Sequence, residues 1–307
     1  MNNTRFSRIF ALFLILLLLL AAPTSSAAAA NPAALSKTPS RILSLSPAAT
    51  EILFDLGLGD KIVGVTEYCS WPPEARSKKN IGDMMHVNME VVVALKPDIV
   101  IISNMNEHLK SQIESLGFPV VVVYQDDFNQ ICGSMKQVGE ACGAAESAKA
   151  RIGELRGLVS GIAERASGET GRTKRSVLVV VGRDAADTSF NKVYVTGPLS
   201  FYNDLLTEAG AINVFTRSAP YANISKEGLL RLDPDIIIEL VGEHGMTNVT
   251  TPEIIAQWNK LTDLKAAREG NVAIIRGDFT MRAGPRYPLL LEAFSKVINE
   301  GAREIWE

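Results

Sequence analysis

EVVVALKPDIVII at residues 90–102 and EGLLRLDPDIII at residues 227–238 are two copies of one pattern. Each opens on a glutamate, runs six residues with apolar positions at helical spacing, stops at Pro-Asp and continues as a β-branched apolar run. Proline ends the helical segment by removing a backbone donor, and the run after it has the unbroken apolar character of a strand buried on both faces. One plan used twice predicts two similar α/β lobes. Glu90 and Glu227 hold the same register in the two copies. The lobes therefore carry a matched pair of carboxylates, suited to docking on a two-fold symmetric partner rather than to catalysis.

Outward from the first copy, strands are expected at residues 42–45, 62–65, 99–102 and 120–124, with helical segments at 48–58, from Glu90, and at 107–116. Outward from the second, strands are expected at 177–181, 193–196, 236–240 and 272–275, with helices at 200–209, 227–232, 252–269 and 288–306. Alternation of this kind implies parallel sheets. Between the sets, residues 144–166 contain no proline and place Ile152, Leu155, Val159 and Ile162 on one face. About 23 helical residues would be roughly 35 Å long, the width of a small domain. The expected fold is α/β: two Rossmann-like lobes with parallel sheets, 41–143 and 174–307, joined by a single long backbone helix at 144–167. A lone stiff helix restricts hinging more than several flexible strands would.

Arg5 and Arg8 precede an apolar run from Ile9 to Ala22, then small residues through Ala30. This is the layout of a cleavable secretory signal peptide over 1–30, too short to span a bilayer, and it implies export to the periplasm. Residues 31–40 read as a flexible leader. Without Arg5 and Arg8 the chain keeps 29 basic and 34 acidic side chains, a net charge of −5, which disfavours nucleic acid or anionic lipid as a partner. Three cysteines, Cys69, Cys132 and Cys142, leave at least one unpaired. Cys132 and Cys142 fall ten residues apart in one helical segment, about 15 Å and too far to bridge.

The opening RILSLSPAATEILFDLG at residues 41–57, the phrase YCSWPPE at 68–74, the two Glu…Pro-Asp repeats and the central helix together resemble the helical-backbone substrate-binding proteins of ABC importers. These carry vitamin B12, ferric siderophores or haem, and the likeness covers 41–307. It implies a monomeric receptor that is not an enzyme and needs no cofactor. Its cargo would be cobalamin or a related corrinoid, with haem or a ferric siderophore as the alternative, delivered to a permease dimer and its ATPase subunits. It further implies that Glu90 and Glu227 pair with permease arginines, and that Tyr68 packs against the ligand. Asp278, Phe279, Thr280, Met281 and Arg282 would line the C-lobe side of the cleft. Met84 and Tyr221, each six residues before a docking glutamate, would stand where the cobalamin-carrying members place tryptophan, and Ser103 replaces another cleft tryptophan.

A flat tetrapyrrole with a polar rim calls for a wide apolar and aromatic cleft with a few hydrogen-bonding groups, and open α/β sheets place such clefts beyond their strand ends. Asp278 and Arg282 also fit an ordinary i,i+4 pair. His86 and His244, with methionines nearby, are candidate axial ligands for a cargo's metal, although solvated loop histidines are commoner. No zinc-site spacing, nucleophile elbow or phosphate-binding glycine loop occurs. An exported chelatase acting on a tetrapyrrole is the remaining enzymatic alternative.

Overall fold

The computed structural model describes residues 37–83, 86–167, 173–184, 189–242, 249–301 and 303–306. The first lobe is built from β1 (Ile42–Ser44), α1 (Pro47–Asp55), β2 (Ile62–Val65), α2 (Met89–Leu95), β3 (Ile99–Ser103), α3 (Lys110–Ser115), β4 (Val120–Val123) and α4 (Phe128–Cys142). Its strands form a four-stranded sheet in the order β2-β1-β3-β4, with every pairing parallel. All residues of β3 and β4 are buried, as the unbroken apolar runs require when both sheet faces are covered.

The helix α5 spans Ala145–Ser167, 23 residues, and buries Ala148, Leu155, Val159 and Ile162. Arg151 ties it to Asp55 of α1 at 2.9 Å, and Arg165 ties it to Glu292 of the second lobe at 2.7 Å. The strut expected from the sequence is therefore present, shifted by one residue.

The second lobe continues with β5 (Ser176–Arg183), β6 (Val193–Thr196), α6 (Phe201–Glu208), β7 (Ile212–Asn213), β8 (Tyr221–Ile224), α7 (Lys226–Leu232), β9 (Ile236–Val241), α8 (Thr251–Trp258), α9 (Lys265–Arg268), β10 (Val272–Arg276), α10 (Tyr287–Ser295) and β11 (Glu304–Trp306). These strands form a seven-stranded sheet in the order β11-β10-β9-β5-β6-β8, with β7 beside β5. Its centre is parallel, but β6 runs antiparallel to both β5 and β8. The parallel arrangement expected from the sequence holds in the first sheet and in this centre, and the antiparallel β6 lies outside it. YANI at β8 alternates exposed and half-buried residues, the signature of an edge strand with one wet face.

Two expected helices also change. The segment expected at 252–269 splits into α8 and α9. Successive turns, Leu261 N–H to Trp258 C=O and Leu264 N–H to Leu261 C=O, bury both leucines. The helix expected at 288–306 ends early: Gly301 takes a left-handed φ of 74°, and the chain turns back as β11 beside β10.

The two repeats fold alike. Asn88 caps α2 by accepting the Val91 N–H, and Ser225 caps α7 by accepting the Gly228 N–H. Lys96 and Asp233 both end their helices in the left-handed region, at φ 45° and 38°. Asp98 and Asp235 then pin the start of a neighbouring strand. Asp98 Oδ2 accepts from Ser40 N and Arg41 N at 2.8 and 2.9 Å. Asp235 Oδ2 accepts from Ser176 N at 2.7 Å.

Candidate functional site

The carboxyl ends of both sheets meet over a groove of about 480 Å³. From the first lobe it receives Ser46 after β1, Tyr68 after β2, Ser103 at the end of β3, Met105 and Gln125. From the second it receives Val181 of β5, Gly242 after β9, and Asp278, Met281 and Arg282 after β10. This is where open α/β sheets place ligands. Two depressions of comparable volume, about 500 and 530 Å³, lie elsewhere, around Glu51 with Trp71 and around the end of α5. Neither collects strand ends from both lobes, so the groove is the candidate site.

Local chemistry fixes its walls. At the mouth of α1, Thr50 Oγ1 donates to Ser44 Oγ at 2.8 Å. Ser103 Oγ donates to Asn106 Oδ1 at 2.9 Å at the end of β3. A Cβ on Gly242 would stand 3.0 Å from Met281 Cγ, so the glycine makes room for the methionine that faces the groove. Met105 is 75% exposed and Met281 40% exposed, and these soft side chains adapt to an apolar surface.

A charged clamp crosses between the lobes beside the groove. Arg286 Nη2 donates to Glu51 Oε1 at 2.6 Å, and Arg286 Nη1 donates to Asp278 Oδ1 at 2.7 Å. The Arg286 guanidinium also lies 4.7 Å from the centre of the Trp71 ring. Arg282 spends its donors on the protein: Nε to Asp278 C=O, Nη1 to Tyr68 C=O at 2.8 Å and Nη2 to Ser70 Oγ at 2.9 Å. Burial pushes the Glu51 carboxyl above the usual carboxylate range, and Arg286 and Arg282 offset this only in part. Burial opposes Asp278 as well, but Arg286 outweighs it and holds that carboxyl below its ordinary value. Exposure separates the two: the Glu51 side chain is 2% exposed and the Asp278 side chain 19%.

Of the residues expected from the sequence, the structure gathers Tyr68, Asp278, Met281 and Arg282 at the groove. Tyr68 stands at its rim with its phenol hydrogen-bonded to Glu67, which keeps the hydroxyl protonated. Phe279 and Thr280 are corrected: they are 1% and 0% exposed, so neither side chain presents surface to a ligand. The short turn at Asp278–Met281 aims them into the lobe, where Thr280 Oγ1 donates to Gly277 C=O at 2.7 Å. Tyr221 is half exposed on β8, edge-on to Tyr202 at 6.5 Å, and does not line the groove. His86 is 85% exposed, bonded to Asp83 at 3.0 Å, and away from the groove. Met84 and His244 lie outside the described residues. Glu90 and Glu227 are both exposed in the first turns of α2 and α7. Ser225 Oγ donates to Glu227 Oε2 at 2.7 Å, and this bond lowers the Glu227 carboxyl. Cys69, Cys132 and Cys142 are buried free thiols.

Sequence reading missed Glu51, Arg286 and Gln125. A carboxylate inside the apolar stretch PAATEILF was the available signal for Glu51, since a buried charge demands a partner. Gln125 carried no signal beyond its place after a strand.

Two α/β lobes strapped by one helix, with a groove at their joined strand ends, form an architecture that can hold a ligand between its lobes. The sequence profile of the periplasmic binding proteins matches residues 42–279, and the chain belongs to that family. It is a substrate-binding protein of the ABC-transporter type. It is 29% identical over 257 residues to an uncharacterized ABC transporter substrate-binding lipoprotein of Bacillus subtilis, covering 82% of this chain and 77% of that one. It is 28% identical over 263 residues to the vitamin B12-binding protein of Salmonella typhimurium, covering 85% and 90%. In fold it is similar to a periplasmic heme binding protein from Pseudomonas aeruginosa, with a TM-score of 0.72 at 24% identity, covering 86% and 94%. Among the described residues no helix is long and apolar enough to cross a membrane.

Proposed function

We propose that this protein captures cobalamin or a related corrinoid in the periplasm and hands it to an ABC permease without making or breaking a bond. In this reading, 1–30 is removed on export, 31–40 is a leader, and 41–143, 144–167 and 174–307 act as lobe, strut and lobe. The supporting observation is the groove at the joined strand ends, open and walled by Tyr68, Met105 and Met281. Such a surface suits one face of a flat macrocycle. Similarity to vitamin B12-binding proteins over nine-tenths of their length supports the same cargo.

Glu90 and Glu227 dock the loaded protein on the permease pair. Each heads a seven-residue helix that turns back directly into β3 or β9. A helix returning along its strand sets its first turn toward the carboxyl edge of the sheet, the edge that bears the groove. Exposed charges there orient and speed docking more than they tighten it.

Calorimetric titration with cyanocobalamin, dicyanocobinamide and haemin tests the cargo: saturable corrinoid binding is expected, and haemin binding alone would replace it with the haem reading. Reversing both docking charges, Glu90→Arg with Glu227→Arg, should abolish corrinoid uptake by cells and leave binding intact. Loss of binding in that double variant refutes the docking role.

A further inference from the structure

We propose that Gln125 contacts the cargo and that its carboxamide selects a macrocycle rimmed with neutral amides over one rimmed with carboxylates; this rests on the corrinoid reading above. Gln125 lies just past the end of β4 and lines the groove. Its Nε2 is shielded from solvent and has no hydrogen-bond partner. A buried donor left unmade is costly, and buried polar groups otherwise find partners. The side chain as a whole is only half-buried and lines the groove, so a turn of its terminal amide brings that shielded donor to the groove, where a rim group pairs with it. A carboxamide both donates and accepts, so it pairs with a rim amide in either orientation.

Charge supports the same selection. Asp278 and Arg282 are the charged groups among the described residues lining the groove. Arg282 directs Nε, Nη1 and Nη2 at protein oxygens, and Asp278 is held by Arg286. A carboxylate entering the groove would meet Asp278 and no uncommitted cation among those residues, and a charge desolvated without a partner is strongly disfavoured. Glu67, bonded to Tyr68 at the rim, adds negative charge on the other wall. The uncapped first turn of α1 would favour an anion, but the Glu51 carboxylate of the same helix and Asp278 oppose it.

The test compares dicyanocobinamide with dicyanocobyrinic acid, the same ring with its side-chain amides as carboxylates, by calorimetry on the full mature chain. The protein should bind cobinamide at least about tenfold more tightly than the acid. Gln125→Leu should lose about tenfold in cobinamide affinity, the worth of one hydrogen bond to a buried donor, and narrow the preference. Gln125→Arg should gain affinity for the acid. Circular dichroism and melting confirm folding, and if the leucine variant misfolds, the nearly isosteric Gln125→Glu should lose cobinamide affinity by at least as much. Equal affinity for the two ligands, or a cobinamide affinity of Gln125→Leu within about twofold of the parent, overturns the selection role while leaving corrinoid binding standing. Failure of the parent protein to bind either ring overturns both.

Discussion

Ile102 and Glu239 occupy the same place in the two repeats, four residues after the aspartate of Pro-Asp, and both are fully buried. Ile102 belongs to the first lobe's apolar core together with Leu43, Val100, Ile113 and Val122. Around Glu239 the second lobe assembles a polar knot. Arg183 Nε donates to Glu239 Oε1 at 3.0 Å, Trp258 Nε1 donates to Oε2, and Arg183 Nη1 donates to Gln257 Oε1 at 2.6 Å. The guanidinium lies 5.0 Å from the centre of the Phe190 ring and 5.5 Å from that of Trp258. Burial pushes the Glu239 carboxyl up, with Arg183 pulling against it. A duplicated plan thus fixes strand, turn and cap but leaves the filling free. The second lobe can hold a carboxylate because β5 and α8 bring it an arginine, a glutamine and a tryptophan.

The sharpest way to break this comparison is Arg183→Met. It strands Glu239 in an apolar core and should destabilise the protein by about 3–5 kcal/mol, read from the urea midpoint, whereas Arg183→Met with Glu239→Leu should recover most of the loss by making the second lobe resemble the first. A double variant no more stable than the single one would show that the knot does more than satisfy its own charges.

The strand-pinning aspartates come next. Asp235 is held to about 2: burial would raise it, but Lys265 at 2.6 Å and Ser176 overcome that. A depressed carboxylate contributes stability above its unfolded value of 3.8, and that stability is lost as pH falls through the folded value. Asp235→Asn should therefore cost about 2 kcal/mol at neutral pH and remove acid sensitivity between about pH 4 and 2. Asp98 is also depressed, by bonds from Ser40, but it is exposed and has no lysine bonded to it. Asp98→Asn should cost about 1 kcal/mol or less. Equal losses at the two sites would mean that the lysine adds nothing.

The smallest effects concern the left-handed residues that close α2 and α7. Lys96→Gly should stabilise by about 0.5–1 kcal/mol, because glycine adopts this conformation without strain. Asp233→Gly should be close to neutral, since Asp233 Oδ1 also accepts from Lys265 N at 2.7 Å and that bond is lost. Thermal melts of the two variants check the ordering, and a larger gain at Asp233 contradicts it.

The repeats, the strut and most strands were legible because each rests on a local rule. Proline and left-handed residues stop short helices, apolar runs make buried strands, and 23 residues without a proline make a long helix. The antiparallel pair β6 and β8, the break after Trp258 and the return of the chain at β11 were not legible. Each depends on a partner strand or a core position distant in sequence. The same divide runs through the site. Tyr68, Asp278, Met281 and Arg282 follow strands, and the fold brings all four to the groove. Phe279 and Thr280 follow the same strand and turn inward, because a single tight turn decides which of five consecutive side chains face the groove.

Sequence alone determined that this chain has two lobes on one plan, a stiff helix between them and acidic residues at matching positions. All of these are periodic or local properties carried by neighbouring residues. Tertiary structure alone decided that Glu51 meets Arg286 across 235 positions, that Arg282 is spent on the Tyr68 loop, and that Gln125 opens onto a groove with no free cation among the described lining residues. Charges and donors acquire their meaning from partners, and Glu51 and Arg282 take theirs from the opposite lobe.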